Sequence, residues 1–248
     1  MIGTALFSAI LPLASLFGGF MGSNIMGKGI VLVQIASSIV AAAVIIGKNR
    51  ELNCVIRNSK RFLREFLLGR DVLDYYLLRK KGAMTALELI YDRTCERMVK
   101  LLDPDMRRSV IGRQSVSENA ALSGREIELV RSTCEHTLQE EELRIENGMG
   151  LLATIVTAAP MLGLLGTVWG VLDAFADMGA KGTILLSLIA PSISSALVTT
   201  VVGLLVAIPS AICYNNLAVK VRMIDTDMDG FADELMGRIA CEFQGGKE

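Results

Sequence analysis

Hydroxyl side chains, Thr167 on one apolar stretch and Ser192, Ser195, Thr199, Thr200 and Ser210 on another among them, are the groups that could do chemistry in this chain. Both stretches lack Lys, Arg and Glu: GMGLLATIVTAAPMLGLLGTVWGVLDAF from Gly148 to Phe175, and ILLSLIAPSISSALVTTVVGLLVAIPSAICY from Ile184 to Tyr214. Asp173 and Asp177 come only where the first run is ending. A hydroxyl in such a run can bond water or a cation but cannot hold a proton near neutral pH. The chemistry on offer is passage of water or an ion. Enzyme chemistry has no support: the single histidine, His136, has no nucleophile or carboxylate constellation around it. The Gly-rich stretch Met161 to Gly170 falls inside a predicted membrane helix, where it cannot cradle a phosphate after a strand. No cofactor and no metal are expected.

The elements that must position these hydroxyls are two helices. Roughly 20 apolar residues span the ~30 Å hydrocarbon core, so the two runs and the short polar link ADMGAKGT read as a membrane hairpin. At 100° per residue Ala159, Gly163, Gly166, Thr167, Gly170 and Ala174 share one face of the first helix. On the second, Ser192, Ser195, Ala196, Thr199, Thr200, Gly203, Ala207 and Ser210 share a side, with Leu197, Val201, Leu204, Leu205 and Ile208 opposite. Small faces let helix backbones approach closely, and Ser or Thr can bond across them. They could equally line a water-filled path or surround a central partner, and the pattern alone supports both readings.

The segments APMLGLLGTVWGVLDAF (Ala159 to Phe175) and APSISSALVTTVVGLLVAIPSAICYN (Ala190 to Asn215) resemble the paired motifs of the MotA/TolQ/ExbB ion-channel family, in its TolQ/ExbB branch. The resemblance covers the whole hairpin. It implies that Thr167 and Thr200 belong to the ion path, with Thr199 and Ser195 beside them, and that Pro160, Pro191 and Pro209 bend the helices or open their ladders. Typical members read A-P-G-I-A-E-A in the second motif, whereas this chain reads A-P-S-I-S-S-A and puts Ser195 in place of the glutamate. A protonation step would then need a carboxylate from a partner. The family further implies a homo-oligomer, a pentamer, around the single membrane helices of ExbD/TolR-like subunits that carry an aspartate, with a TonB/TolA-like protein as a further partner.

One more span precedes the hairpin. GIVLVQIASSIVAAAVIIG, Gly29 to Gly47, is free of charge and is followed by Lys48, Arg50, Arg57, Lys60, Arg61 and Arg64. Basic residues gathered after a span place that end in the cytoplasm. The expected protein is thus an all-α, multi-pass protein of the bacterial inner membrane, its N-terminus periplasmic and its C-terminus cytoplasmic. Residues 1–27 form an N-terminal periplasmic segment, in which 2–21 are read as a helix lying at the membrane face because Pro12, Gly18 and Gly19 would spoil a span. Transmembrane helices follow at 28–47, 148–175 and 184–214. A cytoplasmic helical domain occupies 48–147, a periplasmic loop 176–183, and a cytoplasmic helix 215–248.

Composition fits this class. The chain is 52% hydrophobic but only 5% aromatic, with positive mean hydropathy and a formal net charge of −1, which argues against nucleic acid and for lipid. Five scattered cysteines without a C-x-x-C read as reduced thiols. Helical spacing is expected over Phe62 to Leu78 and over Arg125 to Met149, the latter with Ile127, Val130, Cys134, Leu138 and Leu143 on one side. Asp103-Pro104 and Ser123-Gly124 read as breaks. Glu140, Glu141, Glu142 and Glu146 read as a solvated face in preference to a cation-gathering mouth. Leu217, Val221, Ile224, Met228, Phe231, Leu235 and Ile239 extend a helical stripe through DTDMDG, which imitates only the start of a calcium loop. A non-conducting membrane scaffold and an adaptor working through its cytoplasmic bundle remain the alternatives.

Overall fold

The computed structural model describes residues 24–69, 72–73, 75–76, 85–102, 122–181 and 186–243. The segment before residue 24 and the Asp103-Pro104 break lie outside the described residues. Five helices follow one another: α1 (Ile25–Leu68), α2 (Ala86–Leu101), α3 (Gly124–Glu146), α4 (Met149–Lys181) and α5 (Leu186–Phe243). α1, α4 and α5 each contain a stretch long and apolar enough to cross a membrane. The protein is therefore all-helical among the described residues, with three membrane-compatible helices.

Two expectations of extent are corrected. Ala176 to Lys181, expected in a loop, continue α4, because Ala, Met and Asp do not break a helix merely by being more polar than the run before them. Phe62 to Leu78 does not continue as one helix; α1 stops at Leu68, and the amide of Gly69 bonds to the carbonyl of Phe66 at 3.1 Å. DTDMDG is wholly helical within α5, with Met228 fully buried.

The chain divides into two compact units, one built from the chain up to Lys48 with Gly148–Leu217, the other from Asn49–Asn147 with Ala218–Glu248. At the boundary Gly148 takes φ +87°, a left-handed conformation that a Cβ would strain, and this separates α3 from α4.

The second unit is a polar-surfaced bundle. α2 and α3 both start with capping boxes, Thr85 with Glu88 and Ser123 with Glu126, and pack on each other. The amide and hydroxyl of Ser123 hold the Glu126 carboxyl below its ordinary range. On α3 Ile127, Val130, Cys134 and Leu138 are buried, but Leu143 is 71% exposed and Ile145 takes the next inward place. Leu143 stands 140° round from Leu138 at helical spacing, so it could not share that stripe. The stripe on α5 is buried throughout, from Leu217 to Ile239. Its Phe231 joins Phe62, Phe66, Tyr75 and Tyr91 in an aromatic cluster, with the Arg238 guanidinium 4.8 Å from the Phe66 ring centre. All five cysteines are free thiols, and burial pushes those of Cys95 and Cys134 up.

The acidic residues of α3 part company. Glu140 pairs with Arg93 at 2.9 Å, and Glu141 with Arg144 at 3.0 Å. Glu142 and Asp225 instead have raised carboxyl pKa values, first because burial disfavours their charge and then because Asp229 and Glu146 stand near. Among the described residues, one Asp225 oxygen is buried without a hydrogen-bond partner. A carboxyl that binds its proton more tightly when folded weakens the fold as pH rises from the ordinary carboxylate range through the raised value, and the loss persists at neutral pH. Asp225→Asn should therefore raise the Tm of the detergent-solubilised protein near neutral pH, and the gain should shrink as pH falls toward about 4. A gain that is the same at both pH values would mean that charge is not the cause.

Candidate functional site

Of the hydroxyls identified from sequence, Ser195, Thr199 and Thr200 meet at the seam between α4 and α5, within the first unit, whereas Thr167 bonds only within α4. Glycines make the seam possible. A Cβ on Gly163 would lie 2.9 Å from the Thr200 Cα, one on Gly166 2.2 Å from Thr199 Oγ1, and one on Gly170 2.5 Å from the Ala196 Cβ. On the other side, a Cβ on Gly203 would come within 2.6 Å of the Ala159 carbonyl oxygen. Ala159, Ala196 and Ala207 are buried there as well. Outside the seam, Met161, Leu164, Val168, Leu172, Leu197, Leu205 and Ile208 are exposed, an apolar coat suited to hydrocarbon.

One carbonyl organises the centre. Gly163 O accepts from Thr199 Oγ1 at 3.1 Å and from Thr200 Oγ1 at 2.8 Å, so two adjacent threonines tie α5 to α4. The single Thr199 hydrogen is shared between Gly163 O and Ala196 O, the latter at 2.7 Å, and Thr199 is only 1% exposed. Thr200 and Thr167 are partly exposed, and Thr167 Oγ1 donates to Leu164 O at 2.7 Å. Ser195, 6% exposed, donates to Ser192 O at 2.9 Å. Each hydroxyl hydrogen is thus directed to a backbone carbonyl, leaving oxygen lone pairs as the groups that could meet an incoming species; this arrangement suits a cation. The prolines sit inside continuous helix, Pro160 in α4 and Pro191 and Pro209 in α5. Each removes one ladder donor, so Pro160 leaves the Val156 carbonyl, and Pro209 the Leu205 carbonyl, without its usual partner.

Two residues outside the sequence-based candidates enter the site. Gln34 of α1 is fully buried, and its Nε2 donates to Ala159 O at 3.3 Å. Its amide would be 2.8 Å from a Cβ on Gly203 and 3.4 Å from one on Gly163, so both glycines leave room for it. Its Oε1 is buried without a partner among the described residues. A lone amide in an otherwise charge-free span is itself a signal, because a polar group there must find internal partners. The second is Asn24, just before α1, whose side-chain amide donates to the Asp173 carboxylate of α4.

The profile of the MotA/TolQ/ExbB proton channel family matches residues 105–230. The Tol-Pal system protein TolQ of Haemophilus influenzae is 30% identical over 219 residues, covering 87% of this chain and 89% of the relative. The Tol-Pal system protein TolQ of Pseudomonas aeruginosa is 25% identical over 224 residues, 89% of this chain and 90% of its own length. The biopolymer transport protein ExbB of Neisseria gonorrhoeae is 40% identical over 96 residues, 39% of this chain and 44% of its own.

Proposed function

Since the chain belongs to the MotA/TolQ/ExbB proton channel family, we propose that it is the ion-conducting stator subunit of a TolQ–TolR or ExbB–ExbD type motor in the bacterial inner membrane. The observation that carries this reading is the hydroxyl seam at Gly163, where Thr199 and Thr200 meet one carbonyl between two bilayer-length apolar helices. The near full-length likeness to TolQ proteins, against a partial one to ExbB, favours the TolQ-like role.

In this reading the N-terminus is periplasmic, the basic residues after the first span are cytoplasmic, and copies of the chain form a pentamer in lipid. The pentamer surrounds single-span ExbD/TolR-like subunits that carry a membrane aspartate. A cation arriving from the periplasm neutralises that aspartate and lowers the cost of moving it past an apolar wall. Thr167 and Thr200, partly exposed, offer oxygen lone pairs to the ion and its water. Thr199, buried, also ties the seam through Gly163 O, and with Ser195, buried and standing in the glutamate's place without its charge, it adds hydroxyl oxygens around that aspartate. Each elementary charge crossing the membrane supplies about 2.3 kcal/mol per 100 mV. A few such steps turn one assembly against the other and pass force to a TonB/TolA-like protein.

The test is ion uptake by liposomes holding the chain co-purified with that partner. Thr200→Val keeps the shape and loses the hydroxyl, so flux should fall about tenfold with assembly intact, and the partner's Asp→Asn variant should abolish it. Absence of flux in an intact wild-type complex would replace this reading with the non-conducting scaffold.

A further inference from the structure

The chain is not without a carboxylate of its own on a helix that forms the seam, Asp173 of α4. From its position we infer that Asp173 is a cation-accepting site, linked through Asn24 to a water-sized crevice within one protomer that Asn24 lines together with Ser192, Ser195 and Thr199.

Three observations meet there. Asn24 Nδ2 donates to Asp173 Oδ2, joining the start of α1 to α4 and leaving the remaining carboxylate lone pairs free to take a cation. The backbone of Asn24 is engaged separately, its carbonyl accepting the Lys28 amide at 3.0 Å. Asn24 also lines a crevice of about 10 Å³, the space of one water, with Ser192, Ser195 and Thr199 on its walls, Gly166 and Gly170 on its floor, and Trp169 and Ala196 completing the lining. The two glycines create that floor, since a Cβ on either would strike Thr199 or Ala196. On its other side Asn24 lines a groove of about 790 Å³ whose walls, apart from Asn24 and Asp173, are apolar, among them Ile30, Val33, Leu165 and Trp169. A carboxylate in a low-dielectric wall draws cations more strongly than one in open water.

Among the residues whose side chains are described, the other charged groups near Asn24 and Asp173 in sequence are Lys28 of α1, one turn from Asn24, and Asp177 of α4, one turn from Asp173 and exposed. α5 has no charged residue from its start to Val219. Asp173 is also one turn beyond Gly170, which packs on Ala196, so the carboxylate stands near the level of Ser192 and Ser195. A sodium ion held at Asp173 passes to the water-sized crevice, where the oxygens of Ser195 and Thr199 coordinate it without a second charge; a proton leaves Asp173 on a water in that crevice, which those oxygens hold by hydrogen bonds. The cation is a proton or a sodium ion, which share the carboxylate as acceptor.

Deepening the proposed conduction and resting on it, the site is tested on the co-purified complex in liposomes by two readouts. The first is carbodiimide labelling located by mass spectrometry, with and without sodium at fixed pH. The second is ion flux of wild type, Asp173→Asn and Asp173→Glu. Labelling at Asp173 in preference to Asp177 is expected. Protection by sodium would identify a sodium site, and protection only by raising the pH a proton site. Asn can keep the bond to Asn24, so Asp173→Asn should assemble normally while flux falls about tenfold or more, and Asp173→Glu should restore most of it. Cation-sensitive labelling of Asp173 in a complex that carries no flux would support the site and overturn the conduction proposed above. Flux in Asp173→Asn equal to wild type, or flux with no cation-sensitive labelling of Asp173, would overturn the inference.

Discussion

Gly203→Leu is expected to abolish the packing of α1, α4 and α5 in the apolar unit. Even a methyl there would lie 2.6 Å from the Ala159 carbonyl oxygen and 2.8 Å from Gln34 Nε2. The first contact is with backbone, which cannot swing aside as a side-chain end can. Overpacking a close interface costs about 1–3 kcal/mol for small additions, so Gly203→Ala should already lower the Tm in detergent by several degrees, and leucine should exceed what the unit can absorb. Gly230→Ala provides the contrast. A Cβ there meets nothing within 4 Å, and exchanging Gly for Ala inside a helix gains about 1 kcal/mol. Size-exclusion profiles and thermal unfolding of the three variants check the prediction. A Gly203→Leu protein that assembles and melts like wild type would show that the seam is not close-packed.

The seam also shows how far the sequence could be read. Charge-free length located the three membrane-compatible helices, and period-3.6 spacing located the small faces, because both signals are local. The same period held along α5 from Leu217 to Ile239, where every marked residue is buried. What the sequence left open is which neighbour a face meets. Thr199 and Thr200 are adjacent, chemically identical and bonded to the same Gly163 carbonyl, yet one is sealed and the other partly exposed, because Thr199 packs on Gly166 of the neighbouring helix. Gln34 escaped notice for the related reason that its partner is 125 residues away. Asp173 looked like the polar end of a span because its tie to Asn24 is likewise remote in sequence. Leu143 is a different failure: apolar character was given more weight than its angle on α3, and the angle decided.

Phe62→Ala is expected to have the largest effect in the polar-surfaced unit. Phe62 is 1% exposed, and its ring lies 5.1 Å from Tyr75, 5.5 Å from Phe231, 5.8 Å from Tyr91 and 6.1 Å from Phe66, centre to centre. Truncation removes the ring common to all four contacts, and a buried Phe→Ala change costs about 3–5 kcal/mol. Rings held edge-on by one another cannot collapse into the void without losing their own geometry, so the cost should fall toward the upper end. Leu143→Ala, on an exposed side chain of the same unit, should change stability by no more than about 0.5 kcal/mol. Limited proteolysis after reconstitution reads both effects, with new cleavage sites between Asn49 and Asn147 expected only for Phe62→Ala. The same liposomes then separate the membrane helices' role from the bundle's. Ion flux that survives while the bundle is cleaved assigns conduction to the apolar unit alone, as the hydroxyl seam requires. Flux that is lost in step with cleavage makes the aromatic cluster part of the working mechanism and moves weight to the adaptor reading, in which the polar unit does the work.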